Sequence, residues 1–332
     1  MQAILAVTVP FFALVLCGYL ATRRGLLPQA AIPGLNAYVL FFALPCLLFK
    51  FGASMPFAKL IDPTLMAIYV LCAMLMVFVT IAATLKSVDD RYGIDLKNSA
   101  FGALVAAFPN TGFMGVPLLV ALLGDAAAGP VIGTVLIDLV LTSTFCIALA
   151  QSQEEFSPSE SEPSTMRRSA LRSLRGALTN PLPWAIALGA LVAATQLQLP
   201  GPVNQVIQML ADSASPVALF TIGAVLCRAG QSSTAKTPVV QFLPVALLKL
   251  FVHPLLVLSV GVIAKALGAP VSTFGLTVLV LAAALPSASN VSLLAERYEA
   301  DNGRIARIIM TSTVLAFISF SLLAWVLIGK PA

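Results

Sequence analysis

The sequence predicts an all-α membrane protein with ten transmembrane helices, arranged as two inverted repeats of five helices. This prediction rests on the composition of the chain, on ten long apolar stretches and on motifs that recur in both halves. Hydrophobic types make up 59% of the 332 residues and charged types only 10%, whereas a soluble domain carries about 25% charged residues. The composition excludes a soluble enzyme, a disordered chain and a nucleic-acid-binding protein, because each needs a larger charged surface.

The ten apolar stretches are long enough to cross a bilayer, for which a helix needs about 20 mostly apolar residues. They define spans 1 to 10 at residues 2–20, 33–52, 64–85, 98–121, 129–150, 181–197, 203–227, 239–264, 270–295 and 304–328. The first stretch lacks the basic start of a cleaved signal peptide. We therefore expect it to form a transmembrane helix of the protein.

Lys and Arg residues are distributed unequally between the two sides of the membrane. The loops that follow odd-numbered spans contain fourteen of them, and the opposite side contains four. Because positively charged loops stay in the cytoplasm, we expect both termini on the non-cytoplasmic side of the cell (inner) membrane.

Few residues suit metal or covalent chemistry. The chain has one histidine, and its five cysteines all fall within predicted spans, where free thiols behave as small apolar side chains. The sequence also lacks a glycine-rich nucleotide-binding loop of the Walker type. We expect no disulfide, no metal centre, no cofactor and no catalytic residue, and hence a protein that is not an enzyme.

The most polar segment divides the chain into two halves. Residues 151–169 are rich in Ser, Glu and Pro, a composition typical of a flexible linker. They separate a first repeat at residues 1–150 from a second repeat at residues 170–332, each with five predicted spans. Since an odd number of spans reverses the direction of the chain, the second repeat is expected to be inverted, as in many secondary transporters.

Two pairs of motifs relate the halves to each other. Pro45–Ala53 in span 2 matches Pro216–Ala224 in span 7, with Pro, Leu, Phe, Gly and Ala coinciding. Phe108–Gly112 in span 4 and Leu285–Asn290 in span 9 each contain a proline, and the separation of these two prolines is nearly that of Pro45 from Pro216. In so apolar a chain, chance matches are the alternative interpretation.

Spans 4 and 9 are predicted to be broken near the middle of the membrane. Proline removes a backbone donor and clashes with the preceding turn, and unpaired backbone groups survive in a membrane only against protein, water or a ligand. Each second half-helix would point its positive N-terminal end at the midplane, which favours an anion. Ordinary proline kinks in packed helices are the alternative. The candidate substrate-binding residues are Pro109, Asn110, Thr111, Gly112, Pro286, Ser287, Ser289 and Asn290.

At these residues the chain resembles the bacterial branch of the auxin efflux carrier family. The resemblance covers essentially the whole chain, and the segments that carry it are Pro109–Pro117, Leu285–Val291, Leu44–Pro45 and Ser215–Pro216. It implies a fold similar to that of bile-acid/sodium symporters. In that fold, spans 1, 2, 6 and 7 form a scaffold, spans 3–5 and 8–10 form a transport domain, and the two broken helices cross.

The resemblance also implies a function. An organic anion would bind beside the crossing, where the residues that match the family motif are Pro109, Asn110, Pro286 and Asn290. Pro45 and Pro216 would shape the scaffold helices that face this site. Plant relatives carry indole-3-acetate, and bacterial relatives are associated with small carboxylates such as malonate or malate. A homodimer through the scaffold would fit the family.

Three ionisable residues lie near the middle of predicted spans. Asp138 is in span 5, and Lys249 and His253 lie four residues apart on one face of span 8. Charge at this depth costs roughly 2.5–3.5 kcal/mol and is typical of function. Our hypothesis is that Asp138 and Lys249 pair, and that one of the three residues exchanges a proton during transport. A kink at Pro254 would expose His253, which titrates near neutral pH. The alternatives are a hydrogen-bonded structural histidine and an ion pair that only neutralises itself.

These features favour a secondary active transporter of a small organic carboxylate that works by an elevator movement, with H⁺ or Na⁺ as the coupling ion. Its partners would be the organic anion and the lipid bilayer. A cation/proton exchanger or an ion-coupled sensor on the same fold stays open, because broken helices also coordinate Na⁺. A membrane hydrolase would need Ser143 or Ser289 beside His253, and no motif singles these residues out.

Overall fold

The computed structural model describes residues 2–54, 62–85, 94–152, 181–232 and 237–329. In these ranges every regular element is a helix. From position 153 onward the predicted linker lies outside the described residues. So do nine basic residues that were used to predict the orientation, namely Lys59, Lys86, Arg91, Arg167, Arg168, Arg172, Arg175, Lys236 and Lys330.

The α-helices of the first half are α1 (Gln2–Arg23), α2 (Ile32–Tyr38), α3 (Leu44–Ser54), α4 (Pro63–Thr84), α5 (Leu96–Ala107), α6 (Val116–Leu123), α7 (Ala128–Ile137) and α8 (Ser143–Gln151). Those of the second half are α9 (Pro181–Thr195), α10 (Gly201–Ser232), α11 (Val239–Leu247), α12 (His253–Ala266), α13 (Thr273–Ala283), α14 (Asn290–Arg297) and α15 (Asn302–Ile328).

Seven helical segments of the described chain are long and apolar enough to cross a membrane, which identifies a multi-pass membrane protein. They are Gln2–Arg23, Gln29–Ser54, Pro63–Thr84, Asp125–Gln151, Gly201–Arg228, Val239–Ala266 and Asn302–Ile328. Shorter apolar helices lie within the predicted spans 4, 6 and 9, at Thr111–Leu123, Pro181–Thr195 and Thr273–Ala283.

π-helical turns interrupt several of these helices, at Val39–Ala43, Thr111–Gly115, Asp138–Thr142 and Leu248–Val252. Pro45, Pro117 and Pro254 are each the second residue of the α-helix that follows such a turn. Because proline has no N–H and clashes with the carbonyl four residues earlier, the turn before it widens. Two of the widened turns contain Asp138 and Lys249, the ionisable residues predicted to lie within the membrane.

The half-helices that precede the two interruptions form the centre of the core. Every residue of α5 from Ser99 to Ala107 is buried, and so is every residue of α13 from Val278 to Ala283. A helix that is apolar and buried on all sides is surrounded by other helices. Here α4 and α15 contact both half-helices. The interruptions therefore lie inside the protein rather than against lipid.

Close backbone packing joins α1 to α10. Gly18 of α1 faces the carbonyl group of Phe220, and Gly223 of α10 faces the carbonyl group of Val15. A side chain at either glycine would overlap the backbone of the other helix. Glycine is therefore required at both positions for the two helices to approach this closely.

The same contact occurs a second time, between α9 and α3. Gly189 of α9 faces the carbonyl group of Phe49, and a Cβ added at Gly52 of α3 would lie 2.8 Å from the Ile186 carbonyl oxygen. Gly189, Phe49, Gly52 and Ile186 correspond to Gly18, Phe220, Gly223 and Val15 of the first contact. The two residues of each corresponding pair are separated by the same number of residues along the chain. This separation equals that of the matching prolines of spans 2 and 7, so the two halves make one contact twice with their roles exchanged.

Replacing Gly223 by alanine should reduce the free energy of unfolding by about 1–3 kcal/mol. The added Cβ would meet the Val15 carbonyl group, a backbone atom that cannot rotate away. Thermal unfolding of the purified protein in detergent measures this change. Gly34→Ala is the matched control, since no heavy atom lies within 4 Å of a Cβ built at this helical glycine. Equal unfolding temperatures for both variants would contradict close packing of α1 on α10.

Candidate functional site

The interruptions of the two broken helices lie directly against each other. The Asn110 N–H donates to the Pro286 carbonyl oxygen at 2.8 Å, and the Ala288 N–H donates to the Phe108 carbonyl oxygen at 3.0 Å. Each interruption thereby satisfies backbone groups of the other that have no partner within a helix. We call the paired segments 108–110 and 286–288 the crossing. Their contact agrees with the arrangement predicted from the sequence.

Further hydrogen bonds hold the crossing, whose central pair is Pro109 and Ser287. The Asn110 carbonyl oxygen accepts a bond from the Gly115 N–H at 2.9 Å, within the π-helical turn that starts the second half-helix. The Ser287 N–H donates to Ser312 Oγ of α15 at 3.2 Å. The backbone of the crossing is therefore fixed from both halves and from α15.

The crossing lies beside the helices that contain the two predicted hinge prolines. A Cβ added at Gly112 would lie 3.8 Å from Leu44 Cδ2, and Leu44 directly precedes Pro45 in α3. The turn Thr111–Gly115 also packs on α10, which contains Pro216.

A small cavity of about 40 Å³ adjoins the crossing. One wall consists of Phe113, Ser289, Asn290, Ser292 and Leu293. The other wall consists of Asn36, Leu40, Val225 and Arg228, from the segment around α2 and from α10. Among the predicted substrate-binding residues, Ser289 and Asn290 line this cavity. The other six form or directly flank the crossing, namely Pro109, Asn110, Thr111, Gly112, Pro286 and Ser287, and direct contact of these with a substrate stays a prediction.

Two buried polar atoms near the crossing have no hydrogen-bond partner in the described part of the chain. They are Asn290 Oδ1 and Ser287 Oγ. An unpaired buried polar atom costs roughly 1–3 kcal/mol, so an unmatched one calls for an explanation such as water or an ion. In addition, α14 begins at Asn290, and the N–H groups of Val291 and Ser292 donate to the carbonyl oxygens of Ala288 and Ser289 at 3.4 and 3.2 Å. A water or a ligand hydroxyl can donate to the Asn290 oxygen, and the Ser287 hydroxyl can donate to a ligand oxygen.

A second group of polar side chains, the polar cluster, consists of Tyr69, Asp138, Thr142, Lys249 and His253, all fully buried. The Tyr69 hydroxyl donates to Asp138 Oδ2 at 2.7 Å, and the Thr142 hydroxyl donates to Asp138 Oδ1 at 3.1 Å. The ring of Tyr69 also packs on the ring of His253, with 6.0 Å between the centroids. The cluster therefore connects α4, the turn at Asp138 and the start of α12.

Lys249 is held in the polar cluster by uncharged groups. Its Nζ donates to the Ala283 carbonyl oxygen at 2.6 Å and lies 3.1 Å from His253 Nδ1. Ala283 is the last residue of α13, so the lysine nitrogen lies at the negative end of this half-helix. Since His253 Nδ1 faces a lysine donor, the proton of a neutral ring would be on Nε2. That Nε2 has no partner among the described residues.

The structure corrects two expectations about these residues. Asp138 and Lys249 do not form the expected direct ion pair, because two hydroxyl groups bind Asp138 whereas the Ala283 carbonyl and His253 bind Lys249. His253 is fully buried and is not exposed by the kink at Pro254. The spacing of Lys249 and His253 on one helix face does bring them into contact, as expected. Their role in ion coupling stays a prediction.

Two residues of the interior escape prediction from the sequence. The role of Tyr69 could not be predicted, because nothing distinguishes it from the apolar residues of its span. Arg304, one of the fourteen basic residues that the sequence analysis assigns to cytoplasmic loops, is fully buried at the start of α15. Its Nε donates to the Gln241 carbonyl oxygen at 2.8 Å and its Nη1 to the Asn98 carbonyl oxygen at 2.9 Å. Gly102 leaves room for this side chain, because a Cβ there would lie 2.8 Å from Arg304 Nη1, but nothing in the sequence links the two positions.

Two interrupted helices that meet inside a multi-pass membrane protein form the kind of site found in secondary transporters. The fold and the site therefore place the protein in the class of membrane transporters. A family model described as a membrane transport protein matches residues 3–324. The chain belongs to this family, the auxin efflux carrier family, and the resemblance seen in its motifs is confirmed.

Several curated proteins are similar to the chain over most of their length. A protein of Rhizobium meliloti (strain 1021), named "Putative malonate transporter", is 26% identical over 321 residues, which cover 95% of this chain and 93% of that protein. The "Uncharacterized transporter YfdV" of Escherichia coli (strain K12) is 26% identical over 293 residues, or 87% and 86% of the two chains. An "Uncharacterized transporter" of Methanothermobacter thermautotrophicus is 25% identical over 316 residues, or 95% of each chain.

Proposed function

We propose that the protein is a secondary active transporter that moves a small organic carboxylate anion across the cell (inner) membrane by an elevator-type mechanism. The observation that carries this proposal is the cavity between the crossing and the helix pair α2 and α10. It combines an arginine, amide and hydroxyl groups, and the N-terminal end of α14, all of which suit a carboxylate. The name of the Rhizobium meliloti relative supports malonate as a first substrate to test.

The proposed movement requires two units. The scaffold unit comprises α1–α3, α9 and α10, and the transport unit comprises α4–α8 and α11–α15. The repeated glycine contact, with one constant separation along the chain, supports ten spans in two inverted repeats, because a twofold relation between the halves generates such a pair of contacts. The cavity has walls from both units, as an elevator site requires.

Ion coupling is assigned to the polar cluster. It lies entirely within the proposed transport unit, and it combines a carboxyl group, a lysine and a histidine in one buried hydrogen-bonded group. Ionisable groups in such a position typically mark ion or proton pathways in membrane proteins. The coupling ion is H⁺ or Na⁺. The distribution of positive charge supports termini on the non-cytoplasmic side, and the family resemblance supports a homodimer through the scaffold unit.

A cation/proton exchanger or an ion-coupled sensor is the second candidate function. One observation favours it: the polar cluster shares no residue with the lining of the cavity. Ions could then act at the cluster without an organic substrate. Stabilisation of the purified protein by Na⁺ or by pH alone, with no effect of any carboxylate, would support this candidate.

Malonate should raise the unfolding temperature of the wild-type protein, and Asn290→Ala should lose this effect. Ligand at 100 times its Kd stabilises a protein by about 2.7 kcal/mol, and Asn290 lines the cavity with an amide group that can donate to a carboxylate. The experiment follows thermal unfolding in detergent across mono- and dicarboxylates, with and without Na⁺. Asn204→Ala, at an exposed position of α10, is the matched control and should keep the shift. An equal shift in both variants would exclude Asn290 from the site.

A further inference from the structure

We propose that Arg228 determines substrate specificity by binding a second carboxylate group, so that the transporter selects short dicarboxylates over monocarboxylates. This inference rests on the proposed function and assigns a residue that charge counting places only in a cytoplasmic loop. Arg228 lies in α10, one helical turn after Val225, and both residues line the cavity beside the crossing. Its guanidinium group binds carboxylates in a planar, two-pronged geometry that no other cation in proteins offers.

The two walls of the cavity carry polar groups of different chemistry. Ser289 and Asn290 lie on the wall of the transport unit, where α14 begins, and a serine hydroxyl and an asparagine amide can each donate a hydrogen bond to a carboxylate. Arg228 lies on the wall of the scaffold unit. One carboxylate of a substrate can therefore be bound by the start of α14 and the other by the arginine. A monocarboxylate can be bound by only one of these walls.

The remaining lining of the cavity fits a short carbon chain. Its apolar members are Leu40, Phe113, Val225 and Leu293. A buried water needs roughly 10–15 Å³ of such space, so a cavity of about 40 Å³ holds about three water-sized groups, close to the size of one carboxylate. The second carboxylate must then reach the rim of the cavity. The enclosed space does not admit an aromatic ring system.

Arg228 can act at only one face of the membrane. It belongs to α10, which packs closely on α1 and α3 within the scaffold unit, whereas Ser289 and Asn290 belong to the transport unit. When the transport unit moves, the α14 end of the site moves with the substrate and Arg228 stays behind. The arginine should therefore strengthen substrate binding from one side and have no effect on binding from the other.

The test uses full-length protein reconstituted in proteoliposomes in one orientation. Initial rates of uptake and of efflux give KM at each membrane face for labelled malonate, succinate and acetate. Arg228→Gln should raise KM for malonate and succinate about 10-fold to 100-fold at one face. KM for acetate, and every KM at the opposite face, should stay unchanged. Arg24→Gln, at an exposed arginine directly after α1, is the control and should match the wild type.

Unchanged dicarboxylate KM values in a folded Arg228→Gln variant would overturn the assignment, as would an equal rise for acetate. If this variant does not fold, Arg228→Lys decides the question in the same way. It keeps the charge but not the two-pronged geometry, so a selective rise in the dicarboxylate KM supports the proposal and no rise overturns it. A wild-type protein that moves no carboxylate would instead overturn the proposed function, and the role of Arg228 with it.

Discussion

A covalent link between positions 44 and 112 should stop transport completely, and reduction of the link should restore it. Leu44 belongs to the proposed scaffold unit and Gly112 to the proposed transport unit. A Cβ at position 112 would lie 3.8 Å from the Leu44 side chain. An elevator movement must separate these two positions, because the substrate travels with the transport unit while α3 stays in place. A link across this contact would hold the protein in one state.

The experiment combines Leu44→Cys with Gly112→Cys in a chain whose five native cysteines are replaced, and uses a short bifunctional thiol reagent with a cleavable disulfide. The control pair is Lys50→Cys with Asp212→Cys. These positions lie in α3 and α10 of the scaffold unit, where the native side chains are 3.7 Å apart. Linking the control pair should leave transport intact. If the substitution at Gly112 alone abolishes transport, Leu40→Cys with Leu293→Cys across the cavity replaces it. Full transport by a completely linked 44–112 or 40–293 pair would contradict the elevator movement.

Asp138→Asn should abolish the response of transport to a pH gradient while leaving exchange of substrate across the membrane. Asp138 is the one carboxyl group of the polar cluster, and its two oxygens accept bonds from Tyr69 and Thr142. Asparagine keeps the shape of the side chain and can still accept one of the two bonds, but it cannot take up or release a proton. The carrier should therefore still move substrate down its own gradient and fail to accumulate it.

Uptake of labelled malonate into proteoliposomes with an imposed pH gradient measures this effect. Asp212→Asn is the matched control, because the Asp212 side chain is 62% exposed and pairs with Lys50 at the surface. It should retain gradient-driven accumulation. His253→Gln tests the second titratable group of the cluster in the same assay. Wild-type gradient dependence in both Asp138→Asn and His253→Gln would exclude proton coupling through the cluster and would direct attention to Na⁺.

The breaks in the two helices were predictable because their cause is local. Pro109 and Pro286 cannot donate a backbone hydrogen bond, and polar residues follow each of them, so a membrane helix must be interrupted there. The contact between the breaks was also foreseeable, since an unpaired backbone needs a partner inside the bilayer. The glycines of the helix contacts are less visible. The role of Gly18 and Gly189 becomes clear only from the structure, where each faces a backbone carbonyl group of another helix and the two contacts are related by the repeat.

The partners of buried charges were not predictable because they depend on how helices rotate against one another. Tyr69 and Asp138 lie far apart along the chain, in different spans, and nothing in the spacing of either span selects a hydroxyl rather than the lysine as the partner. Lys249 donates to the carbonyl group of Ala283 at the end of α13. This carbonyl group is available as an acceptor only because the helix ends there. The prediction that Arg304 lies in a loop was wrong for a related reason. A basic residue near the end of a span is counted as evidence for the orientation in the membrane, whether its side chain is exposed or buried.

The central claim is that a carboxylate substrate binds in the cavity between the crossing and α10. A structure of the purified protein determined by electron cryomicroscopy at saturating malonate tests this claim most directly. We expect ligand density in contact with Ser289 and Asn290, at the start of α14, with the Phe108–Asn110 and Pro286–Ala288 segments still paired. Density for malonate at another position, with this cavity empty in the same map, would contradict the claim.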